Sequence, residues 1–237
     1  MRIVRIKPIF NCILFLLISV FAQQSIAQSA TREYQQIQTL LAQATTTDQI
    51  KDALPALEGI QFPYHRRLHQ RYRHLRFYVY STYQVDALSY KNQIIFRSLK
   101  LMKDSVSRFV QLDSLALDQL IAKWNNFYQA HKNIADFQRE IILTEGFALK
   151  AGLGMPTHYV KKLKEWVNSE EVAPFQTLMQ SFYVEQQTFG AIGIRQLHRK
   201  KIKVPQKLRQ LARHIRRRNA EILTSKKSCV IDVMPYF

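Results

Sequence analysis

The sequence predicts an all-α protein: a multi-helix antiparallel bundle behind a cleaved N-terminal signal peptide, ending in a basic C-terminal helix and a short tail. Three observations predict it. Glycine and proline are scarce, with six and seven in 237 residues. Apolar residues recur at spacings of three and four almost throughout, and strand-like alternation never runs beyond a few residues. Several prolines stand where the first turn of a helix would place them.

The first segment, residues 1–27, reads as an export signal. "MRIVRIK" carries three positive charges and no acid, and "PIFNCILFLLISVFA" is an apolar core of signal-peptide length, too short for a membrane span. Ser25 and Ala27 supply the small residues that signal peptidase reads, which places cleavage after Ala27. The expected location is therefore periplasmic or extracellular. Of the two cysteines, Cys12 lies in the signal, so Cys229 has no partner in the mature chain for an internal disulfide. Stability must come from a packed core.

After the signal, "TREYQQIQTLLAQA" predicts a first helix with Ile37, Leu40 and Leu41 on one side. "TTTDQIKDALPAL" predicts a short helix behind a threonine cap, disturbed at Pro55. Pro63 suits the start of a long helix to about Tyr83, with Leu68, Tyr72, Leu75 and Val79 as its buried stripe. A further seam runs through Leu88, Ile95, Leu99, Met102, Val106 and Phe109. Asp113 can cap the next helix, where Leu117, Leu120, Trp124, Phe127, Ile134 and Ile141 fall on a heptad seam. "AGLGMP" (Ala151–Pro156) ends it and marks a boundary: residues 28–154 form the bundle core, and residues 155–237 form C-terminal helices and a basic segment packed on that core or folded as a subdomain.

Net charge is +18, and its placement is the most informative property of the sequence. Residues 195–227 hold thirteen Lys/Arg against one acid, Glu221. Residues 64–76 hold five arginines and no acid, while the rest of the mature chain is near neutral, with 14 Lys/Arg against 16 acids. Clustered cations on a near-neutral body point to anionic partners. On a helix through "RQLARHIRRRNAEIL", Leu208, Leu211, Ile215 and Ile222 share one face. Arg209, Arg213 and Arg216 form a row on another, about 10 Å long, with Arg217 at its edge. Arg199, Lys200, Lys201 and Lys203 add charge upstream. Guanidinium forks match phosphate and carboxylate, so these eight residues are the predicted anion-binding set. Arg66, Arg67, Arg71 and Arg73, among many tyrosines, make a second basic patch that could stack on bases or sugars.

Catalytic signals are sparse. On the long helix predicted to start after Asp113, His131, Gln138 and Glu145 continue an apolar heptad line and could border a cleft, completed by a partner helix. His65 and His69 have a zinc-compatible spacing, but the neighbouring arginines repel a cation, so no metal site is predicted. The sequence has no Glu-x-x-His, His-Glu-x-x-His, Gly-x-Ser-x-Gly, Cys-x-x-Cys or Gly-rich phosphate loop, and no cofactor is predicted. The reading that follows is a non-catalytic exported protein docking an anionic macromolecule or membrane surface through its C-terminal helix. The alternatives are an enzyme acting on an envelope polymer near His131 and Glu145, and a nucleic-acid-binding protein of the envelope.

Overall fold

A computed structural model describes residues 32–80, 82–103, 109–142, 158–218, 221–226 and 230–235. The signal segment, the "AGLGMP" boundary, Glu145 and Cys229 lie outside the described residues. The chain divides into two units, Met1–Ala44 and Thr45–Phe237. In the first, the described residues form one helix, α1 (residues 32–43), with Ile37 and Leu41 buried.

The second unit overturns the all-α helical-bundle expectation. It opens with α2 (Thr47–Ala53), held by a capping box in which Thr46 and Gln49 satisfy each other's backbone amides, and passes into a 3-10 turn over Leu54–Ala56 that accommodates Pro55. Five strands then follow: β1 (Ile60–His69), β2 (Tyr72–Val79), β3 (Tyr83–Tyr90), β4 (Gln93–Leu101) and β5 (Phe109–Leu112). They pair antiparallel in sequence order, a meander. Helices α3 (Ser114–Tyr128), α4 (Ile134–Ile141), α5 (His158–Asn168), α6 (Ala173–Met179), α7 (Val184–Arg199) and α8 (Gln206–Arg218) follow, and β6 (Glu221–Lys226) and β7 (Val230–Pro235) close the chain as a hairpin.

The long helix expected from Pro63 to Tyr83 is thus a β-hairpin, and the reason is burial on both faces. Every residue of β2 except Arg73 is buried, as is every residue of β3 except Tyr90. One face carries Leu75, Phe77, Val85, Ala87 and Leu99. The other carries Tyr64, Arg66, His74, Arg76, Gln84, Asp86 and Ser98, also buried. Polar–apolar alternation is present but confined to short runs, His74–Phe77 in β2 and Gln84–Ala87 in β3, and the polar members are buried rather than solvent-facing. The turns are also unmarked by glycine. Lys91 and Asn92 both adopt positive φ (50° and 73°) between β3 and β4, the pattern of the tight turn that suits a twisted hairpin. Gln70 (φ 46°) turns β1 into β2.

On the polar face, the ends away from the charged band are apolar. Leu68, Tyr72, Leu88 and Phe96 pack with Leu117, Leu120 and Trp124 of α3, Phe137 and Ile141 of α4, and residues of α5 to α8 in one core. Residues on both sides of the expected boundary at 154 contribute to that core. The expected continuous helix after Asp113 breaks in two. Asp113 caps α3 by accepting from the Ala116 amide, but Gln129 turns left-handed (φ 53°) and α4 restarts behind an Asn133–Asp136 capping box. The Trp124 indole donates to the Gln180 carbonyl (2.9 Å), and Gln180 Nε2 donates to the Gln129 carbonyl (2.7 Å), which staples this corner to the end of α6.

Candidate anion-binding groove

The α7–α8 pair carries most of the predicted anion-binding residues, and three features fix it. At its start, α7 is anchored through Glu185, which accepts from Arg66 Nη1 of β1 at 2.6 Å with both side chains fully buried. In its middle, Gly190 and Gly193 let α6 approach closely. A Cβ on Gly190 would lie 2.7 Å from the Phe175 carbonyl oxygen and 2.9 Å from the Met179 amide nitrogen, and one on Gly193 would lie 2.1 Å from the Phe175 ring. The obstacle at Gly190 is backbone, so Gly190→Ala should destabilise by about 1–3 kcal/mol despite alanine's better helix propensity. A urea midpoint at or above wild type would contradict that packing. At the far end, Arg218 Nη1 donates to the Leu68 carbonyl of β1 (2.8 Å) and ties down the last turn of α8.

Helix α8 buries Leu208, Ala212 and Ile215 as a stripe of spacing four and three. Arg209, Arg213 and Arg216 each follow a stripe residue and therefore project about 100° around the axis. That row forms one wall of a groove of roughly 350 Å³ between the helices. Arg195 and His198 of α7, three residues apart and both exposed, form the opposite wall. Ala191, Ile194 and Ala212 supply an apolar lining. Among the described residues, no carboxylate forms an ion pair with Arg195, Arg209, Arg213 or Arg216. Arg209 Nε is buried without a hydrogen-bond partner. Four guanidinium groups thus converge on one groove with their charge uncompensated by the described side chains.

The other predicted cations stand outside its walls. Arg217 is exposed beside the row. Arg199 ends α7, Lys200 caps it and donates to Asn168 Oδ1 (2.9 Å), Lys201 turns with φ 63°, and Lys203 is exposed in the following loop. Residue patterning on α8 alone did not select Arg195 and His198. Their signal was available: the pair falls at helical spacing i, i+3 just upstream of the basic run.

The second predicted patch divides. Arg67, Arg71 and Arg73 are exposed around the β1–β2 turn, and Arg67 Nε donates to the Gln70 carbonyl (2.7 Å). Arg66 points the other way, into the protein and onto Glu185. It belongs to a sealed polar band. Arg76 Nε donates to Asp86 Oδ1 (2.6 Å), His74 Nε2 meets the same oxygen (2.7 Å), and Gln84 Nε2 donates to Asp86 Oδ2 (2.6 Å). An Arg76 guanidinium nitrogen also donates to the Ile141 carbonyl. The rings of Tyr64 and Tyr183 lie within 6 Å of both guanidinium carbons. Burial raises the Asp86 pKa, but Arg76 and the His74 and Gln84 hydrogen bonds outweigh it and hold the carboxyl down at about 2. Burial lowers His74 to about 4 in spite of Asp86, so it is neutral at pH 7 and donates its Nε2 hydrogen. Here oppositely charged groups compensate one another inside the protein and join the sheet to the helical layer.

The heptad line through His131, Gln138 and Glu145 is interrupted by the turn at Gln129. His131 is exposed in the α3–α4 loop and Gln138 is half-buried on α4. The carboxylate buried in this region is Glu140, which accepts from Lys132 Nζ (2.5 Å), Ser181 Oγ (2.9 Å) and the Phe182 amide (2.7 Å). These bonds explain why "PFQTLMQSFYVEQQTFGAIGI" is two helices: Glu140 and Ser181 hold amides at the break between α6 and α7. His69 is buried against the rings of Trp124, Phe127 and Tyr128. Among the described residues, no group of three or more His, Cys, Asp or Glu could hold a metal ion, and no helix is long and apolar enough to cross a membrane.

Fold and groove together define a class: an α+β protein with a buried ionic band and an arginine-walled groove between its last two helices. Comparison with protein-family models, curated proteins and solved structures gave no match.

Proposed function

We propose that this is a non-catalytic exported protein that docks an anionic partner through the α7–α8 groove. The observation that carries the proposal is the convergence of Arg195, Arg209, Arg213 and Arg216 on one groove with no carboxylate among the described residues to neutralise them. Arginines kept for solubility would be dispersed and paired with acids at i±4. Here Asp86 and Glu185 are committed to the buried band, and Asp113 and Asp136 to helix caps. The signal-like residues 1–27 support an envelope or extracellular setting, where anionic polymers and headgroups are the expected partners.

The test is binding of the full mature chain to phosphatidylglycerol vesicles and to single-stranded DNA across a salt series, with wild type and the R209E/R213E variant. Binding should fall steeply as salt rises. Each lost charge-assisted contact is worth about 1.5–3 kcal/mol, so the double reversal should weaken binding at least 100-fold while the circular dichroism spectrum stays that of wild type. Unchanged binding by the reversed variant would remove the groove from the docking function.

A further inference from the structure

We infer that the groove takes a compact group bearing two phosphates, a diphosphate or a bisphosphate, with its organic portion against the apolar lining. The inference rests on the docking reading above and specifies the ligand chemistry of that same site.

Size argues for a compact group. At roughly 350 Å³, the groove is at the small end of sites that enclose small molecules. An extended polyanion needs a charged track along which its backbone can run. The predicted upstream cations Arg199, Lys200, Lys201 and Lys203 do not continue the groove walls.

Charge fixes the number of phosphates. Four guanidiniums line the groove, Arg209, Arg213 and Arg216 from α8 and Arg195 from α7, with His198 three residues from Arg195. One phosphomonoester carries about −1.5 to −2 at neutral pH. A single phosphate therefore leaves about half of the guanidinium charge uncompensated, while two match it. The residue type agrees, since planar forks can bind phosphate oxygens in pairs, which ammonium groups cannot. All four strong cations in the groove are arginine, although lysine is plentiful immediately upstream. Arg209 lines the α8 wall, and its Nε has no hydrogen-bond partner within the protein. Ala191, Ile194 and Ala212 then offer a short apolar strip for what the phosphates are attached to.

The group could be borne by a soluble molecule or by a membrane lipid, and the two sources separate experimentally. Calorimetric titration of the full mature chain would use inorganic pyrophosphate, inorganic phosphate, citrate, and farnesyl diphosphate carried in phosphatidylcholine vesicles. Pyrophosphate should bind at least tenfold tighter than phosphate and tighter than citrate. R195Q and R213Q should each weaken it at least tenfold without lowering the melting temperature. Equal affinity for pyrophosphate and farnesyl diphosphate assigns a soluble ligand; tighter farnesyl diphosphate assigns a lipid one. Pyrophosphate binding no tighter than phosphate or citrate, or insensitive to R195Q and R213Q, overturns the inference. If that happens while R209E/R213E still abolishes vesicle binding, the two-phosphate assignment fails and docking stands. If neither assay responds to its arginine variants, both fall.

Discussion

Asp86→Ala should cost about 3–5 kcal/mol of stability, a large share of what a protein of this size possesses. The carboxylate accepts from Arg76, His74 and Gln84 in full burial, and its removal leaves the Arg76 guanidinium charged and enclosed without its counter-ion. A guanidinium cannot escape by losing its proton. The urea midpoint should fall accordingly. The second half of the test separates a lost attraction from a stranded charge. Arg76→Met combined with Asp86→Ala should recover much of the loss, because an apolar replacement of both partners removes the desolvation penalty. A single mutant within 1 kcal/mol of wild type would mean that Arg76 finds water, and that the band is less sealed than its burial indicates.

Acid should weaken the protein in two separate pH windows. His65, His69 and His74 are each held at about 4, in every case mainly by burial, against about 6.5 in an unfolded chain. Between those values the unfolded chain binds protons that the folded one refuses. Stability therefore falls as pH drops from about 6.5 towards 4. His74 and His69, both buried, contribute most; His65, half-buried and partly screened by solvent, adds less. Asp86 acts lower. Its folded pKa of about 2 is depressed, so its contribution is complete above the unfolded value near 3.9 and disappears as pH falls towards 2. Thermal melts from pH 7.5 to 2.5 should show a first decline beginning near 6.5 and a second below 4. His74→Gln should flatten the first decline. A melting temperature constant from pH 7 to 4.5 would show that these histidines take up protons in the folded state.

Several helices were legible in the sequence because they obey local rules, but the basic helix expected to run to Leu223 ends at Arg218, and Ile222, expected on its apolar face, lies in strand β6. Asp113 and Thr46 cap where short polar side chains should, and α8 buries a stripe at spacing four and three. The arginine row follows from that stripe by geometry alone. The sheet was illegible for a physical reason. In β2 and β3, polar–apolar alternation covers only His74–Phe77 and Gln84–Ala87 before apolar neighbours interrupt it. Its polar members His74, Arg76 and Asp86, like Arg66 of β1, face inward, and the turns at Gln70 and Lys91–Asn92 reach positive φ without glycine. The strands' abundance of Tyr, Phe and Val is the available strand signal, and the same residues also fit a helical stripe. The groove was half legible. One wall came from α8, but Arg195 and His198 acquire their meaning only when α7 lies beside it, a tertiary relation that no window of sequence contains.

The Arg66–Glu185 pair also has a temporal meaning. Its members are 119 residues apart in the chain. During synthesis the five-stranded meander is complete at residue 112, long before its acidic counterpart emerges. A nascent protein stopped short of α7 would hold a finished hairpin array lacking that carboxylate. Such an intermediate would stay open to chaperones and proteases until the C-terminal helices arrived. Truncations ending before Glu185 should therefore accumulate poorly in cells, and maturation would be timed by the last third of the polypeptide rather than by the sheet itself.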